Sequence, residues 1–381
     1  MLDSLRMYLT YLGVDALRLA AAPALDRRCR RCLVSAKRNP LQGGLCEACR
    51  APGSAPSDGA PPEAERLRQL NDAVAAALPG GAGSAPGRYD AIVLNSGGKD
   101  SLYMILRLLR DFPGIRLLSV SFDNGFLNGL SLRNIQAVCT RRGLDSLVVR
   151  PDPAIYRAII GHGIRHSGGV GCYRADSMDG AIFRDLASTL AVEQGIPLVF
   201  CGHTAAQTRT ILGLDRCTLE PHALAADRAD YFGIPVADVF GKDTAHVWKG
   251  SRHDPARIPR WVFPHHAWRP TQGEIERFLA AEGFAPARVK QFYTGNDLQA
   301  VFLLHDYRTL GWFSYEPETA IMLRAGLVDR REWRRIYALM EVVGRSARLT
   351  RMVAAPVLEK MGLRYDDLFS TADGGASGRT G

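Results

Sequence analysis

The chain has 381 residues, of which 46% are apolar and 23% charged. That is the balance of a globular protein rather than of a disordered, collagenous or membrane-embedded chain, and at roughly 100–200 residues per domain it allows two or three domains. Forty-eight basic against 39 acidic residues leave a net charge of +9, which suits an anionic partner such as nucleic acid, nucleotide or phosphorylated substrate, although the strong excess of arginine over lysine also reads as plain compositional bias.

The start, Met1-Leu2-Asp3-Ser4, has no basic n-region, so no secretory signal is expected. No apolar run approaches the ~20 residues of a transmembrane helix, and the expected location is the cytoplasm. Leu5, Leu9, Leu12 and Leu17 recur at near-helical spacing and predict a short amphipathic helix over 1–26. A four-cysteine cluster follows, then a Pro/Gly/Ser linker over 51–62. Glu63 to Leu78 is predicted helical.

From residue 88 the pattern alternates. Ala91–Asn95 and Ile196–Cys201 are short apolar runs suited to buried strands, and Arg116–Phe122 and Ser146–Arg150 are further strand candidates. Between them, Ser101–Asp111, Leu130–Arg142, Pro153–Arg165 and Ala175–Gln194 have helical periodicity. Strands alternating with helices predict an α/β domain whose parallel sheet carries helices on both faces. Beyond Pro221 the strand signal fades, and 222–270 is rich in His, Trp, Pro and Arg. Thr271–Glu282, Pro317–Ala325, Arg330–Val342 and Pro356–Lys360 predict a helical C-terminal region. The predicted organisation is an N-terminal helix and ribbon (1–50), linker and helix (51–87), nucleotide-type domain (88–220), substrate or lid and helical region (221–370), and disordered tail (371–381).

The strongest chemical signal is Ser96-Gly97-Gly98-Lys99-Asp100-Ser101, placed between a strand and a helix. Backbone N–H groups at a helix start, together with the helix dipole, favour an anion. Gly97 and Gly98 let the backbone approach a phosphate closely. Lys99 adds a charge, and Ser96 and Ser101 add hydroxyl donors. The string is not a Walker A loop. Ser121-Phe122-Asp123 ends the next strand, where open α/β sheets bind ligands, though Asp123-Asn124-Gly125 is also ordinary turn chemistry. Gly202-His203 ends the last clear strand, where His203 is a candidate contact for phosphate or substrate.

Cys29, Cys32, Cys46 and Cys49 form C-x2-C-x13-C-x2-C. Two close thiol pairs fit tetrahedral Zn2+, and four cysteine ligands leave no open position, so the expected role is structural. An iron–sulfur cluster is the alternative. Arg27, Arg28, Arg30 and Arg31 could meet phosphate or offset the charge of the thiolates. Cys172 precedes a helix, where the dipole can lower a thiol's pKa. His246, His253, His265 and His266 match no metal spacing and read as loop histidines. Trp248, Trp261 and Trp268, interleaved with arginines, could stack bases, form a lid, or form a small core.

Ser96 to Ser101 is similar to the pyrophosphate loop of the N-type ATP pyrophosphatases. That resemblance covers about residues 88–215. It implies a Rossmann-like, adenine nucleotide alpha hydrolase-like fold and cleavage of ATP between its α and β phosphates, with AMP placed on a substrate carbonyl oxygen. Ser121, Phe122, Asp123 and Gly202 would lie near the nucleotide. Lys99 would stabilise the leaving pyrophosphate, and Asp100 and Asp123 are candidate Mg2+ ligands. A narrower resemblance joins the four-cysteine ribbon and this loop to Phe263-Pro264-His265-His266-Ala267-Trp268 and to the Thr319–Glu332 and Asp366–Phe369 segments. These resemble the N-acetyl sugar amidotransferases, which implies a small sugar-like substrate, ammonia as nitrogen donor, and a partner glutaminase. The second reading is a sulfur transferase acting on tRNA or a small molecule, with Cys172 carrying sulfur. Sulfur-inserting relatives carry C-x-x-C here, whereas this chain has Ala175 in place of the second cysteine. A nucleotide-binding scaffold without turnover is the third. The sequence does not set the oligomeric state.

Overall fold

The structure is a computed structural model that describes residues 25–51, 60–167, 171–242, 246–284 and 296–374. The predicted helix over 1–26 and the predicted tail fall mostly outside them. The chain divides into two compact units. One contains Ala60–Ala158 and Ser177–Gln291, and the other contains Met1–Gly59, Ile159–Asp176 and Phe292–Gly381.

The first unit is built on a six-stranded sheet. Its strands are β1 (Ala91–Leu94), β2 (Leu117–Phe122), β3 (Asp145–Val149), β4 (Leu198–Phe200), β5 (Thr218–Leu219) and β6 (Arg260–Val262), in the order β3-β2-β1-β4-β6-β5. All neighbours are parallel except the terminal β5–β6 pair. The chain runs outward from β1 to β3, then returns to place β4 on the other side of β1. The sheet therefore reverses winding between β1 and β4, and the C-terminal ends of those strands are where open α/β sheets bind ligands.

Helices α1 (Glu63–Ala77), α2 (Lys99–Asp111), α3 (Gly129–Arg142), α4 (Pro153–Arg165), α5 (Tyr173–Gln194), α6 (Ala205–Leu212) and α7 (Gln272–Ala281) intervene. Side chains alternate across β1, and the core alternates with them. Ala91 and Val93 pack with Leu102, Ile105 and Leu279 on one face, while Ile92 packs with Ala187, Ala191 and Trp261 on the other. This two-faced burial is the Rossmann-like α/β fold expected of the alternating pattern.

Two strands of the main sheet, β6 and the two-residue β5, were not expected. β6 is three residues long, Arg260-Trp261-Val262, inside the aromatic and basic stretch. It places Trp261 and Val262 at 0% exposure. Trp248 joins the same core, and Trp268 is buried beneath the Arg107 guanidinium, 4.6 Å from the ring centroid. Of the three readings of these tryptophans, the structure supports the core.

The second unit holds the cysteine ribbon and the C-terminal helices α8 (Leu298–Leu310), α9 (Glu316–Arg324), α10 (Arg330–Arg345), α11 (Ala347–Glu359) and α12 (Tyr365–Gly374). α8 is central and touches α10, α11 and α12. It is buried nearly all round, from Leu298 and Val301 to Tyr307. α10 is amphipathic and buries Trp333, Ile336, Tyr337, Met340 and Val343 on one stripe. Among the described residues no helix is long and apolar enough to cross a membrane.

Candidate functional sites

The loop after β1 is held in shape by its neighbours before any ligand is considered. Asn95 Oδ1 accepts the Gly97 N–H at 3.0 Å, and Asn95 Nδ2 donates to Ser119 Oγ at 3.1 Å. Ser121 Oγ donates to the Asn95 carbonyl at 2.6 Å, and Asn134 Nδ2 donates to the Gly97 carbonyl at 2.9 Å. Gly97 has φ +70°, and a Cβ there would lie 2.3 Å from the Ser131 carbonyl oxygen. Any other residue would meet both a backbone clash and left-handed strain. Gly98 is the N-cap of α2. The first-turn amides of α2 have no carbonyl within the helix to bond, so they form a donor set for an anion. Ser101 Oγ donates to the Gly98 carbonyl at 2.9 Å, and Ser96 Oγ lies 3.3 Å from Ser101 Oγ.

The charged residues of the loop are paired. Lys99 Nζ lies 2.7 and 2.8 Å from the two Asp100 carboxylate oxygens. Burial pushes the Asp100 carboxyl up, but Lys99 and His265 outweigh it and hold it below the usual range. Asp123 is buried and accepts the Gly125 N–H at 2.8 Å through Oδ1. Its Oδ2 is held by Arg150, with Nε at 3.0 Å. Ser121 is buried beneath the loop, and Phe122 stacks on Phe183 at 5.5 Å.

The end of β4 lies against the same loop. Gly202 Cα faces the start of α2, where a Cβ would be 3.7 Å from Asp100 C, Ser101 N and His265 Cδ2. The Thr204–Gln207 capping box fixes the start of α6 just after His203. His203 stacks on Phe263 at 5.9 Å, and its Nδ1 is buried without a hydrogen-bond partner among the described residues. Burial, with help from Arg184 and His265, pulls its pKa down to about 4, so the ring is neutral at pH 7.

Two residues here were not predicted in their roles. His265 is a buried helical residue whose Nε2 donates to the Asp100 carbonyl at 2.9 Å, not a loop histidine. Arg184, on α5, is buried, and burial next to Arg228 lowers its pKa to about 10. A histidine pair in an aromatic stretch gave no sign of contact with a loop some 165 positions away.

The four cysteines converge in the second unit. Cys29, Cys32, Cys46 and Cys49 are all buried, and their sulfurs lie within 4.8 Å of one another. Cys32 Sγ and Cys46 Sγ are 3.6 Å apart, and Cys29 Sγ accepts the Cys46 N–H at 3.5 Å. The turn after the first pair uses Leu33 at φ +62°. Four buried thiols this close can hold a metal. Burial raises the Cys49 thiol to about 11 and pushes Cys32 higher, with the neighbouring thiolates adding to the effect, so a bound cation would stabilise all four as thiolates.

Arg28 is not a phosphate ligand. Its guanidinium is buried between Glu316 (2.7 Å) and Glu341 (2.6 Å), over the Tyr337 ring. Glu316 also accepts the Ser35 N–H at 2.8 Å, which ties the ribbon to α9 and α10.

Cys172 is fully buried in the second unit, its sulfur 3.2 Å from His305 Nδ1. Its N–H donates to Asp306 Oδ1 at 2.5 Å. Burial next to Asp306 pushes the thiol well above its ordinary value. The expected effect of the helix start on this thiol is therefore overridden. His305 and Asp306 carried no signal in the sequence, because they lie on a helix that is buried all round.

No family model matches the chain, and no curated protein matches it. Among solved structures it is similar to the U34-tRNA thiolase NcsA from Methanococcus maripaludis, determined with its 4Fe–4S cluster. The likeness covers 82% of this chain and 89% of that one, at 14% identity and a TM-score of 0.29. The expectation of an ammonia-dependent sugar amidotransferase is corrected here. The chain builds polar partners around Cys172, with His305 at its sulfur and Asp306 at its N–H, a thiol that ammonia transfer does not need.

Proposed function

We propose that the protein is an ATP-dependent sulfur transferase of the pyrophosphatase-loop type. An acceptor carbonyl oxygen attacks the α-phosphorus of ATP, and pyrophosphate leaves. A sulfur nucleophile then attacks the activated carbon, and AMP leaves with the oxygen. The observation that carries this reading is the loop after β1: a glycine with no room for a Cβ, followed by open helix amides, at the point where the sheet reverses its winding.

Lys99 and the first-turn amides of α2 are assigned to the leaving pyrophosphate. At rest Lys99 is held by Asp100, so an incoming phosphate would share it. Asp100 and Asp123 remain the candidate Mg2+ ligands, and for Asp123 the ion would displace Arg150. The neutral His203 has a free Nδ1 for phosphate or acceptor. Cys172 is assigned to the sulfur site, where it would help hold the incoming hydrosulfide, which attacks the activated carbon as such and needs no oxidation. The net charge of +9 supports an RNA base as the acceptor, and a free small molecule is the other outcome of the test.

The test is release of AMP and pyrophosphate from ATP by purified protein with Mg2+, a sulfide donor, and either bulk tRNA or the small-molecule fraction of a cell extract. Turnover is expected to require tRNA. Lys99→Ala is expected to lower it by about 10²-fold or more without changing metal content. Unchanged turnover in that variant would remove the loop from the reaction, and a requirement for ammonia would remove sulfur transfer.

A further inference from the structure

A second group of metal-ligand side chains lies apart from the four cysteines. Cys172, His305 and Asp306 each bring one donor atom within 4.8 Å of the others, and all three are buried. They come from distant parts of the chain, Cys172 at the start of α5 and His305-Asp306 within α8.

Two of the three are oriented by an outer partner. His305 Nε2 lies 3.2 Å from the Leu368 carbonyl and donates to it. In the neutral ring that leaves the Nδ1 lone pair facing the Cys172 sulfur. Asp306 Oδ2 accepts the Ser314 N–H at 2.8 Å and the Ser314 hydroxyl, and Oδ1 accepts the Cys172 N–H. A carboxylate oxygen with one such bond keeps a lone pair for another partner. The chain is shaped to make this possible. Gly171 has φ +83°, and a Cβ there would lie 2.5 Å from Ser314 Cβ and 2.8 Å from Asp306 Oδ1. Tyr173 N–H donates to Ser314 Oγ at 2.8 Å, which docks the same turn on the other side.

Among the described residues, no basic side chain balances the charge at this point: neither lysine nor arginine pairs with Asp306. A histidine fixed through its other nitrogen to a carbonyl, beside a hydrogen-bonded carboxylate, is the outer-shell pattern of metal sites.

We propose that Cys172, His305 and Asp306 bind a divalent ion of the Zn2+ class, with three protein ligands and one open position. A mixed sulfur, nitrogen and oxygen set suits zinc, and three ligands with a vacancy is the form of a site that takes water or a small ligand. The four-cysteine set is closed by contrast. The proposal deepens the sulfur-transfer reading, on which the role of Cys172 rests. A bound ion would hold this sulfur as a thiolate.

The experiment is metal analysis of the full chain purified after growth with added zinc, followed by cobalt substitution. About two metal equivalents per chain are expected in the wild type and about one in Cys172→Ser and in His305→Ala. The cobalt protein should show a thiolate-to-metal absorption band that is lost in Cys172→Ser, on top of the band of the four-cysteine site. Should a variant fail to fold, zinc protection of Cys172 in the wild type takes its place. Alkylation of the Cys172 peptide, read by mass spectrometry, is expected to rise at least tenfold when a chelator strips the open site. One metal per chain in the wild type, with no Cys172-dependent cobalt band and no zinc protection, would overturn the proposal. That result would leave tRNA-dependent AMP release intact if the functional reading is right. Two metals with no ATP turnover would remove the functional reading and leave the metal site.

Discussion

Cys29, Cys32, Cys46 and Cys49 meet within one short stretch of chain, while Cys172 meets Asp306 across 134 positions. The first cluster is closed by four equal ligands and anchored by the buried Arg28–Glu316–Glu341 group. The second has three unlike groups and, among the described residues, no lysine or arginine paired with its carboxylate. The difference separates a cluster suited to holding a fold from one suited to holding a reagent. Local spacing was enough to find the first, and only the packing of α8 brings the second together.

The largest expected effect tests the structural half of that contrast. Cys32→Ser should remove the ribbon's metal and with it the folding of the ribbon, because ligand binding and folding are one equilibrium in such sites. Thermal unfolding followed by metal release should show a fall of about 10 °C or more in Tm. Cys172→Ser should shift the same transition by only a few degrees, on the scale of about 1 kcal/mol. Equal losses in the two variants would erase the distinction.

Arg28→Met comes next. It leaves Glu316 and Glu341 buried without their cation, a loss of about 3–5 kcal/mol for a broken buried ion pair, measurable by urea denaturation. A loss below ~1 kcal/mol would show that the ribbon does not depend on these helices. Gly171→Ala sharpens the other half. With φ +83° and no space for a Cβ, it should cost about 1–3 kcal/mol and release the Cys172-bound ion while the four-cysteine metal stays. Retention of both metals would contradict the role given to that turn.

The smallest effect lies in the sheet unit and serves as a control on both clusters. His203 is neutral in the fold, with a pKa near 4, against ~6.5 in an unfolded chain. The unfolded state therefore takes up the proton first as pH falls. The stability due to a neutral His203 is present above about pH 6.5 and is lost progressively toward pH 4. His203→Gln should flatten that part of the stability profile without changing either metal. An unchanged profile would mean that another group sets the slope.

The parts of this molecule that were legible in sequence are those in which one local rule decides the structure. Apolar runs gave β1 and β4, further strand candidates gave β2 and β3, and the Ser96–Ser101 string marked the loop because its glycines answer to a backbone constraint. The three-residue β6 was hidden, since Arg260-Trp261-Val262 is too short to show a period and is flanked by prolines and histidines. α8 was hidden for the opposite reason. A helix buried on nearly every side has no polar stripe, so its apolar residues, and His305 and Asp306 among them, show no 3.6-residue rhythm. His265 was misread because its partner is the carbonyl of Asp100, a contact that only the fold brings about. The thiol at Cys172 looked like a helix-start nucleophile, whereas burial, the larger effect, pushes it the other way.

The most direct test of the account is a reaction of purified protein with ATP, Mg2+, unmodified tRNA and a hydrosulfide donor, reading AMP and thiolated nucleoside together by chromatography and mass spectrometry. The account predicts one thio group formed per AMP, both products lost in Lys99→Ala, and the thio product alone lost in Cys172→Ser. AMP formed in step with an aminated product from added ammonia, with Cys172→Ser fully active, would contradict it.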